Sequence, residues 1–145
     1  MIYHIYKKRG NNMLKPKMVF TALAVWFFFH IVIFWVMNPA GVEAFIDSEK
    51  GQLLGRQLGY IGGTCCIIIG VVMILLRDLD LALAKRVLLG VGGSLVILDA
   101  ILIATNNSAM NKFPDEPMLQ TPLPAVALWI GLTAYTLYVG FTAED

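Results

Sequence analysis

Few side chains of this sequence could do chemistry, and most of those few lie in or beside long apolar runs. Asp99 and His30 each interrupt such a run, while Arg56, Gln57 and Tyr60 lie near the start of another. An unpaired carboxylate in apolar surroundings is costly, so Asp99 should be neutral, paired or in contact with water. Together these residue types could form a proton or ion site, or a polar pocket for a lipid or quinone headgroup.

Asp99 also has a structural interpretation. A contact with Arg56 or with a tyrosine of another helix would satisfy the carboxylate and fix the register of two helices. We favour this interpretation because Asp99 is a lone acid close to the end of its apolar run. The sequence therefore predicts an intramembrane polar site at Asp99, Arg56, Gln57 and Tyr60 and leaves its role open.

His30 lies among aromatic residues at helical spacing, namely Trp26, Phe27 and Phe34. An imidazole with flat neighbours could ligate a haem or a chlorophyll-type pigment. A haem held by two histidines needs a second histidine inside the membrane, and the other one, His4, lies in the basic N-terminal tail. A pigment with one protein ligand stays open, and we favour a histidine bonded to a neighbouring helix.

The composition excludes several classes of protein. Hydrophobic residues make up 58% of the 145-residue chain and charged residues only 14%, and the mean hydropathy is +0.72. These values indicate an integral membrane protein. The net charge of +1 argues against binding to nucleic acid. The common hydrolase, nucleotide-binding and CxxC redox motifs are absent, so we expect no catalytic residue and no metal site held by protein ligands.

Four apolar runs predict four membrane-spanning helices, at about 18–37, 53–76, 87–104 and 123–141. A helix of about 20 residues, rising ~1.5 Å per residue, crosses the ~30 Å hydrocarbon layer. The sequence Asn-Pro-Ala-Gly at 38–41 is expected to end the first helix. The short connections predict an all-α, up-down-up-down antiparallel four-helix bundle.

The predicted domain organisation is a basic tail at 1–17, one membrane domain at 18–141 and a short tail at 142–145. Translation could begin at Met1 or at Met13. Lys and Arg residues are concentrated in the N-terminal tail and the 77–86 turn, which hold Lys7, Lys8, Arg9, Lys15, Lys17, Arg77, Lys85 and Arg86. The connections on the opposite side hold only Lys50, Arg56 and Lys112. Both termini are therefore expected to be cytoplasmic.

Small residues recur at intervals of three and four in the second run and again in the third and fourth. Such faces let helix backbones approach closely in a membrane. The predicted packing positions are Gly55, Gly59, Gly62, Gly63, Gly70, Gly90, Gly93, Ser94 and Gly131. We expect the third helix to contact the second through its glycines, and the fourth through the side that carries Asp99. The glycines of the second helix could pack within the chain, which we prefer, or form a dimer.

The passage from Leu54 to Leu102 resembles the small bacterial membrane proteins grouped as DoxX-like. The resemblance rests on Gly-Arg-Gln-Leu-Gly at 55–59, on Gly70 before Leu-Leu-Arg-Asp at 75–78, and on Lys-Arg-Val-Leu-Leu-Gly at 85–90. It implies a four-helix bundle and an accessory role beside a redox enzyme, and it transfers no catalytic residue.

These observations lead to three hypotheses on function. The preferred one is a non-catalytic accessory or scaffold subunit of a larger bioenergetic complex, respiratory or photosynthetic. The second is a small oligomeric proton-coupled transporter or channel that uses Asp99, Arg56 and His30. The third is a redox protein that binds quinone or haem.

The expected partners are the lipid bilayer and other membrane subunits or further copies of the chain, with a pigment, quinone or lipid as candidate cofactor. The expected location is a bacterial inner membrane or an organellar inner or thylakoid-type membrane.

Overall fold

The computed structural model describes residues 15–116 and 119–144, which form four long helices and contain no strand. The helices are α1 (Pro16–Phe45), α2 (Glu49–Leu75), α3 (Leu81–Lys112) and α4 (Leu123–Thr142). Each is long and apolar enough to cross a membrane. The prediction of an all-helical chain with four candidate membrane spans is therefore confirmed. Most of the predicted basic tail, including His4 and Met13, and the last residue lie outside the described residues.

Helix α1 continues beyond the Asn-Pro-Ala-Gly sequence that was expected to end it, and that expectation is wrong. A π-helical turn at Ile33–Met37 precedes Asn38, whose backbone N–H donates to the carbonyl of Ile33, five residues back. Proline lacks an N–H, and in a regular α-helix its ring clashes with the carbonyl four residues earlier. The wider π turn makes room for Pro39, so the helix proceeds to Phe45.

Helices α2 and α3 begin earlier than their apolar runs because each has a side-chain cap. The Ser48 hydroxyl accepts a hydrogen bond from the Gly51 N–H (3.2 Å), and the Asp80 carboxylate accepts one from the Leu83 N–H (3.0 Å). Helix α3 also runs past residue 104 to Lys112. Hydropathy marks the part of a helix that suits the membrane, whereas capping residues decide where the helix starts.

The chain forms two compact units. One spans Phe20–Arg77 and contains most of α1 together with α2. The other contains α3 and α4 and, among the described residues, also the first few residues of α1 up to Val19. Each unit is a hairpin of two antiparallel helices.

In the first hairpin the small face of α2 packs against α1. The contacts run in opposite directions along the two helices, which pairs Gly55 with Val42, Gly59 with Asn38, Gly62 with Phe34, Gly63 with Trp35 and Gly70 with Phe28. A Cβ at Gly62 would lie 3.0 Å from the Phe34 ring, and one at Gly70 would lie 2.6 Å from the Phe28 ring. These glycines therefore pack within the chain, the alternative preferred from the sequence, and three of the five lie against aromatic rings of α1.

In the second hairpin α3 packs on α4 along one continuous seam. The buried residues of this seam are Ala84, Leu88, Gly92, Leu95, Asp99 and Asn106 on α3 and Trp129, Thr133, Thr136, Val139 and Gly140 on α4. Gly92 lies against Leu137, and Gly140 lies against Leu89. The side of α3 that carries Asp99 thus faces α4, as the sequence predicted.

The outer faces of the second hairpin are open. A Cβ at Gly90, Gly93 or Gly131 would meet no described atom within 4 Å, and Ser94 is exposed, with its hydroxyl bonded to its own helix at the Gly90 carbonyl (3.0 Å). The face of α4 expected to pack on α3, which includes Gly131, is therefore not the one in the seam. Trp129, Thr133 and Thr136 are the residues of α4 that are buried in the seam instead.

Candidate functional site

Asp99 is the acidic residue of the α3–α4 seam, and it is nearly enclosed. Only 8% of the residue is exposed. Its Oδ1 atom is buried and makes no hydrogen bond to any atom of residues 15–116 and 119–144. Buried polar atoms almost always have a partner, because leaving one unsatisfied costs about 1–3 kcal/mol, and more if the group is charged. An unsatisfied carboxyl oxygen at this depth therefore calls for a chemical explanation.

The register of the hairpin gives the surroundings of Asp99. Leu89 lies beside Gly140 and Gly92 beside Leu137, so antiparallel pairing brings Trp129 level with Asp99. Trp129 is 9% exposed and is the largest side chain that α4 contributes to the seam. The indole of Trp129, which has one N–H donor, is therefore the buried side chain of α4 at the level of Asp99.

Two buried threonines lie on the same face of α4 as Trp129. The Thr133 hydroxyl donates to the carbonyl of Trp129 (3.1 Å), and the Thr136 hydroxyl donates to the carbonyl of Leu132 (2.7 Å). A hydroxyl has one hydrogen to donate, and both of these are donated within α4. Toward the seam the threonines therefore offer lone pairs, which accept hydrogen bonds and do not stabilise a carboxylate.

Polar contacts close the seam at both ends. The Asn106 Oδ1 atom accepts a hydrogen bond from the Thr121 N–H (2.6 Å), which ties the connection before α4 to α3. At the other end the Lys85 ammonium donates to the carbonyl of Ala143 (3.0 Å), just beyond the last turn of α4. Asp99 lies seven residues from Asn106 and fourteen from Lys85, about 10 Å and 21 Å along the helix. The lysine is therefore too far away to pair with the carboxyl group.

The other members of the predicted polar site belong to the first unit. The Arg56 Nη1 atom forms an ion pair with Glu43 at 2.9 Å, between α2 and the end of α1. Gln57 and Tyr60 are exposed. The predicted contact between Asp99 and Arg56 would join the two units, and it stays a prediction. Sequence reasoning missed Glu43 as the partner of Arg56 because it expected the first helix to end before residue 43.

His30 forms a local aromatic cluster on α1. Its Nδ1 atom lies 2.9 Å from the Trp26 carbonyl oxygen and donates to it when protonated, which makes Nε2 the nitrogen with the lone pair. The imidazole meets the rings of Trp26 and Phe29 edge to face, with centroids 4.8 Å and 6.2 Å away. Sequence reasoning did not include Phe29, although it lies next to His30.

The aromatic stripe predicted as a cofactor surface is divided in two. Phe34 lies over Gly62 in the hairpin, whereas Trp26 and Phe29 stack beside His30 at 6.1 Å. Phe27 is half-buried. Within the part of the chain that the structure describes, no three His, Cys, Asp or Glu side chains converge to hold a metal ion.

The π turn of α1 leaves a second buried oxygen without a partner among the described residues. The Asn38 Oδ1 atom lies beside Gly59, where a Cβ would also come within 3.0 Å of the Phe34 carbonyl oxygen. Gly59 is therefore required for the close approach of α2 to the π turn. The Asn-Pro pair was a sequence signal for this site, but we interpreted it as a helix end.

No protein-family model matches this chain, and no curated protein or solved structure matches it. The DoxX-like resemblance therefore stays an expectation, and the function has to be argued from the residues themselves.

Proposed function

We propose that the protein is a non-catalytic accessory or scaffold subunit of a larger bioenergetic membrane complex. The observation that carries this proposal is the small share of each span that the chain buries by itself. In the most apolar window of each helix only 22 to 28% of the residues are buried. Much helix surface is thus left for lipid and for further helices.

The open faces of α3 and α4 support binding to other helices. Gly90, Gly93 and Ser94 lie on one side of α3, and Gly131 lies on the outside of α4. Close contacts between membrane helices favour small residues, because packing rather than the hydrophobic effect holds the helices together in lipid. By contrast, exposed positions of α2 such as Leu58 and Ile61 carry the branched side chains that suit a lipid boundary. The DoxX-like resemblance points to the same kind of accessory role.

A crosslinking experiment tests the proposal. A photoreactive residue at Ile97, which is 65% exposed on the same face as Gly93, should crosslink to another membrane protein in the native membrane. The matched control is Ile61 on α2, which is 60% exposed and should crosslink mainly to lipid.

The tagged protein, extracted in mild detergent, should also migrate as a particle much larger than 16.0 kDa. Its absorption spectrum would show whether the particle holds a pigment. A small colourless particle with no protein crosslinks from Ile97 contradicts the proposal.

The proposed arrangement is an up-down four-helix bundle with both termini in the cytoplasm. The distribution of Lys and Arg supports it, since the segment 77–86 holds Arg77, Lys85 and Arg86, whereas the segment 105–122 holds only Lys112. Single cysteines in a variant without Cys65 and Cys66 test it. A membrane-impermeant maleimide should label Asp115→Cys in intact cells and should label Ala82→Cys only after the cells are opened. The reverse pattern would overturn the orientation.

The buried carboxyl of Asp99 favours a second candidate, a proton-coupled transporter or channel in which Arg56 and His30 also take part. Proton flux into vesicles that contain the purified protein tests this function. The Asp99→Asn variant should abolish the flux while the protein still assembles. If the wild-type protein shows no flux above empty vesicles, the transporter is excluded and the accessory role is unaffected.

A further inference from the structure

Three helix ends meet at one end of the unit that contains α3 and α4. The Lys17 ammonium, near the start of α1, forms an ion pair with Asp78 at 3.1 Å, three residues before α3 begins. The Lys85 ammonium, in the first turns of α3, donates to the Ala143 carbonyl just beyond α4 at 3.0 Å. Arg77 precedes Asp78 in the chain, and Arg86 follows Lys85. We call this region the basic end and define it by Lys15, Lys17, Arg77, Lys85 and Arg86.

The acidic residues nearest in sequence to these cations have other roles. The Asp78 carboxylate is paired with Lys17, and the Asp80 carboxylate caps α3 by accepting from the Leu83 N–H at 3.0 Å. Glu144, after α4, is exposed. Among residues 15–116 and 119–144, no acidic side chain forms an ion pair with Arg77, Lys85 or Arg86. By sequence, residues 1–14 add three basic residues and no acidic one, so the basic end has an excess of positive charge.

Arg77 gives independent evidence for a missing anion. Its Nε atom is buried and makes no hydrogen bond to any described residue. Buried donors almost always have an acceptor, because an unsatisfied one has lost its hydrogen bonds with water and gained none in return. The guanidinium group carries five N–H donors in a planar fork that matches the oxygens of a phosphate. A phosphate oxygen would therefore satisfy the Nε donor of Arg77.

Exposed apolar side chains accompany the basic residues along the chain. Leu75, two residues before Arg77, is 73% exposed, and Leu83, two residues before Lys85, is 44% exposed. A phospholipid can place its phosphate on the cations and its acyl chains on such leucines, whereas a soluble anion uses only the charge. The combination of cations and exposed leucines therefore favours an anionic phospholipid over a soluble anion.

We propose that the basic end is a binding surface for anionic phospholipids, and that Arg77, Lys85 and Arg86 contact the headgroup phosphates. Each cation can hold its own phosphate, so the surface needs no single pocket. Basic residues next to a membrane helix attract anionic headgroups, while their long apolar stems stay on the hydrocarbon side. This inference goes beyond the accessory role and does not depend on it, because a subunit without any lipid preference could fill that role.

Native mass spectrometry of the purified protein in a nonionic detergent tests the proposal. Phosphatidylglycerol and phosphatidylcholine with the same acyl chains are added in equal amounts, and the ratio of the two lipid adducts is measured. The wild-type protein should prefer phosphatidylglycerol. Each basic residue near a membrane surface contributes about fivefold to binding of anionic lipid, so Arg86→Gln should lower the preference by about fivefold. Arg77→Gln combined with Arg86→Gln should lower it by about 25-fold.

The matched control combines Lys50→Gln with Lys112→Gln, which removes the same charge at two exposed positions outside the basic end. It should keep the wild-type preference. Unfolding midpoints measured with phosphatidylcholine alone should agree among all variants, which separates a loss of binding from a loss of fold. The proposal is overturned if the wild-type protein binds both lipids equally, or if the two double variants lose the same preference. It is also overturned, in favour of a soluble anion, if inorganic phosphate at the same molar concentration displaces phosphatidylglycerol.

Discussion

The indole of Trp35 lies against Gly63 and donates a hydrogen bond from Nε1 to the carbonyl oxygen of Tyr60 at 3.3 Å. The ring thus occupies the space into which a side chain at position 63 would project. One aromatic residue of α1 is thereby held by two positions of α2 that are one turn apart. The close approach of the two helices depends on the missing side chain at Gly63.

Gly63→Ala should therefore destabilise the first hairpin. The new Cβ would overlap the Nε1 and Cδ1 atoms of Trp35, and overpacking of this kind costs about 1–3 kcal/mol. Alanine recovers up to about 1 kcal/mol of helix propensity, so we expect a net loss of about 1–2 kcal/mol in the free energy of unfolding. Denaturant unfolding in detergent, followed by circular dichroism, measures it.

Gly90→Ala is the matched control for that substitution. A Cβ at Gly90 meets no described atom within 4 Å, so only the gain in helix propensity remains for the isolated protein. This variant should be as stable as the wild-type protein or more stable. If Gly63→Ala and Gly90→Ala have the same effect, the packing of Trp35 against Gly63 does not support the hairpin.

Asn106→Ala should loosen the connection that precedes α4. The variant removes the buried acceptor of the 2.6 Å hydrogen bond from the Thr121 N–H and leaves that N–H without its partner, at a cost of about 1–3 kcal/mol. Limited proteolysis should cut the connection between α3 and α4 faster than in the wild-type protein. Asn107→Ala serves as the control, because Asn107 is exposed, and it should leave the rate of cleavage unchanged.

Lys85→Met should allow the end of α4 to fray. Methionine keeps an unbranched apolar stem and removes the ammonium group that donates to the Ala143 carbonyl at the negative end of the helix dipole. A loss of about 1 kcal/mol corresponds to roughly fivefold faster hydrogen exchange in the last turn of α4. Exchange measured by mass spectrometry checks this. Arg86→Met, at an exposed neighbouring position, should not change it.

Arg56→Gln should have only a small effect on stability. The Arg56 and Glu43 side chains are 33% and 58% exposed, and water weakens such ion pairs to less than about 1 kcal/mol. Denaturant unfolding at low and high salt should show a small loss that salt removes. A loss above about 2 kcal/mol at both salt concentrations would instead indicate a buried partner for Arg56, as in the contact with Asp99 predicted from the sequence.

The existence of the four helices could be predicted because long apolar runs report directly on membrane spans. Their ends could not, because they depend on particular local contacts. Asp80 extends α3 toward its N-terminus by capping it, and the π turn carries α1 through Pro39. Neither contact changes the hydropathy of the runs.

The residues of the candidate site could be predicted from the sequence, but their partners could not. Asp99 stood out because a charge within an apolar run is rare, and the small face of α2 stood out by its spacing. The partners depend on how helices pair in three dimensions. The sequence alone did not show that Gly63 meets an indole, or that Trp129 comes level with Asp99.

The π turn at Ile33–Met37 also determines the directions in which the later side chains of α1 point. An extra residue in one turn rotates the remainder of the helix by about 100° relative to an uninterrupted α-helix. The rotation directs Val42 toward Gly55 and Glu43 toward Arg56. Deleting one residue from the turn would leave a continuous helix with its last two turns facing the wrong way. This segment is therefore far less tolerant of a change in length than of a change in residue type.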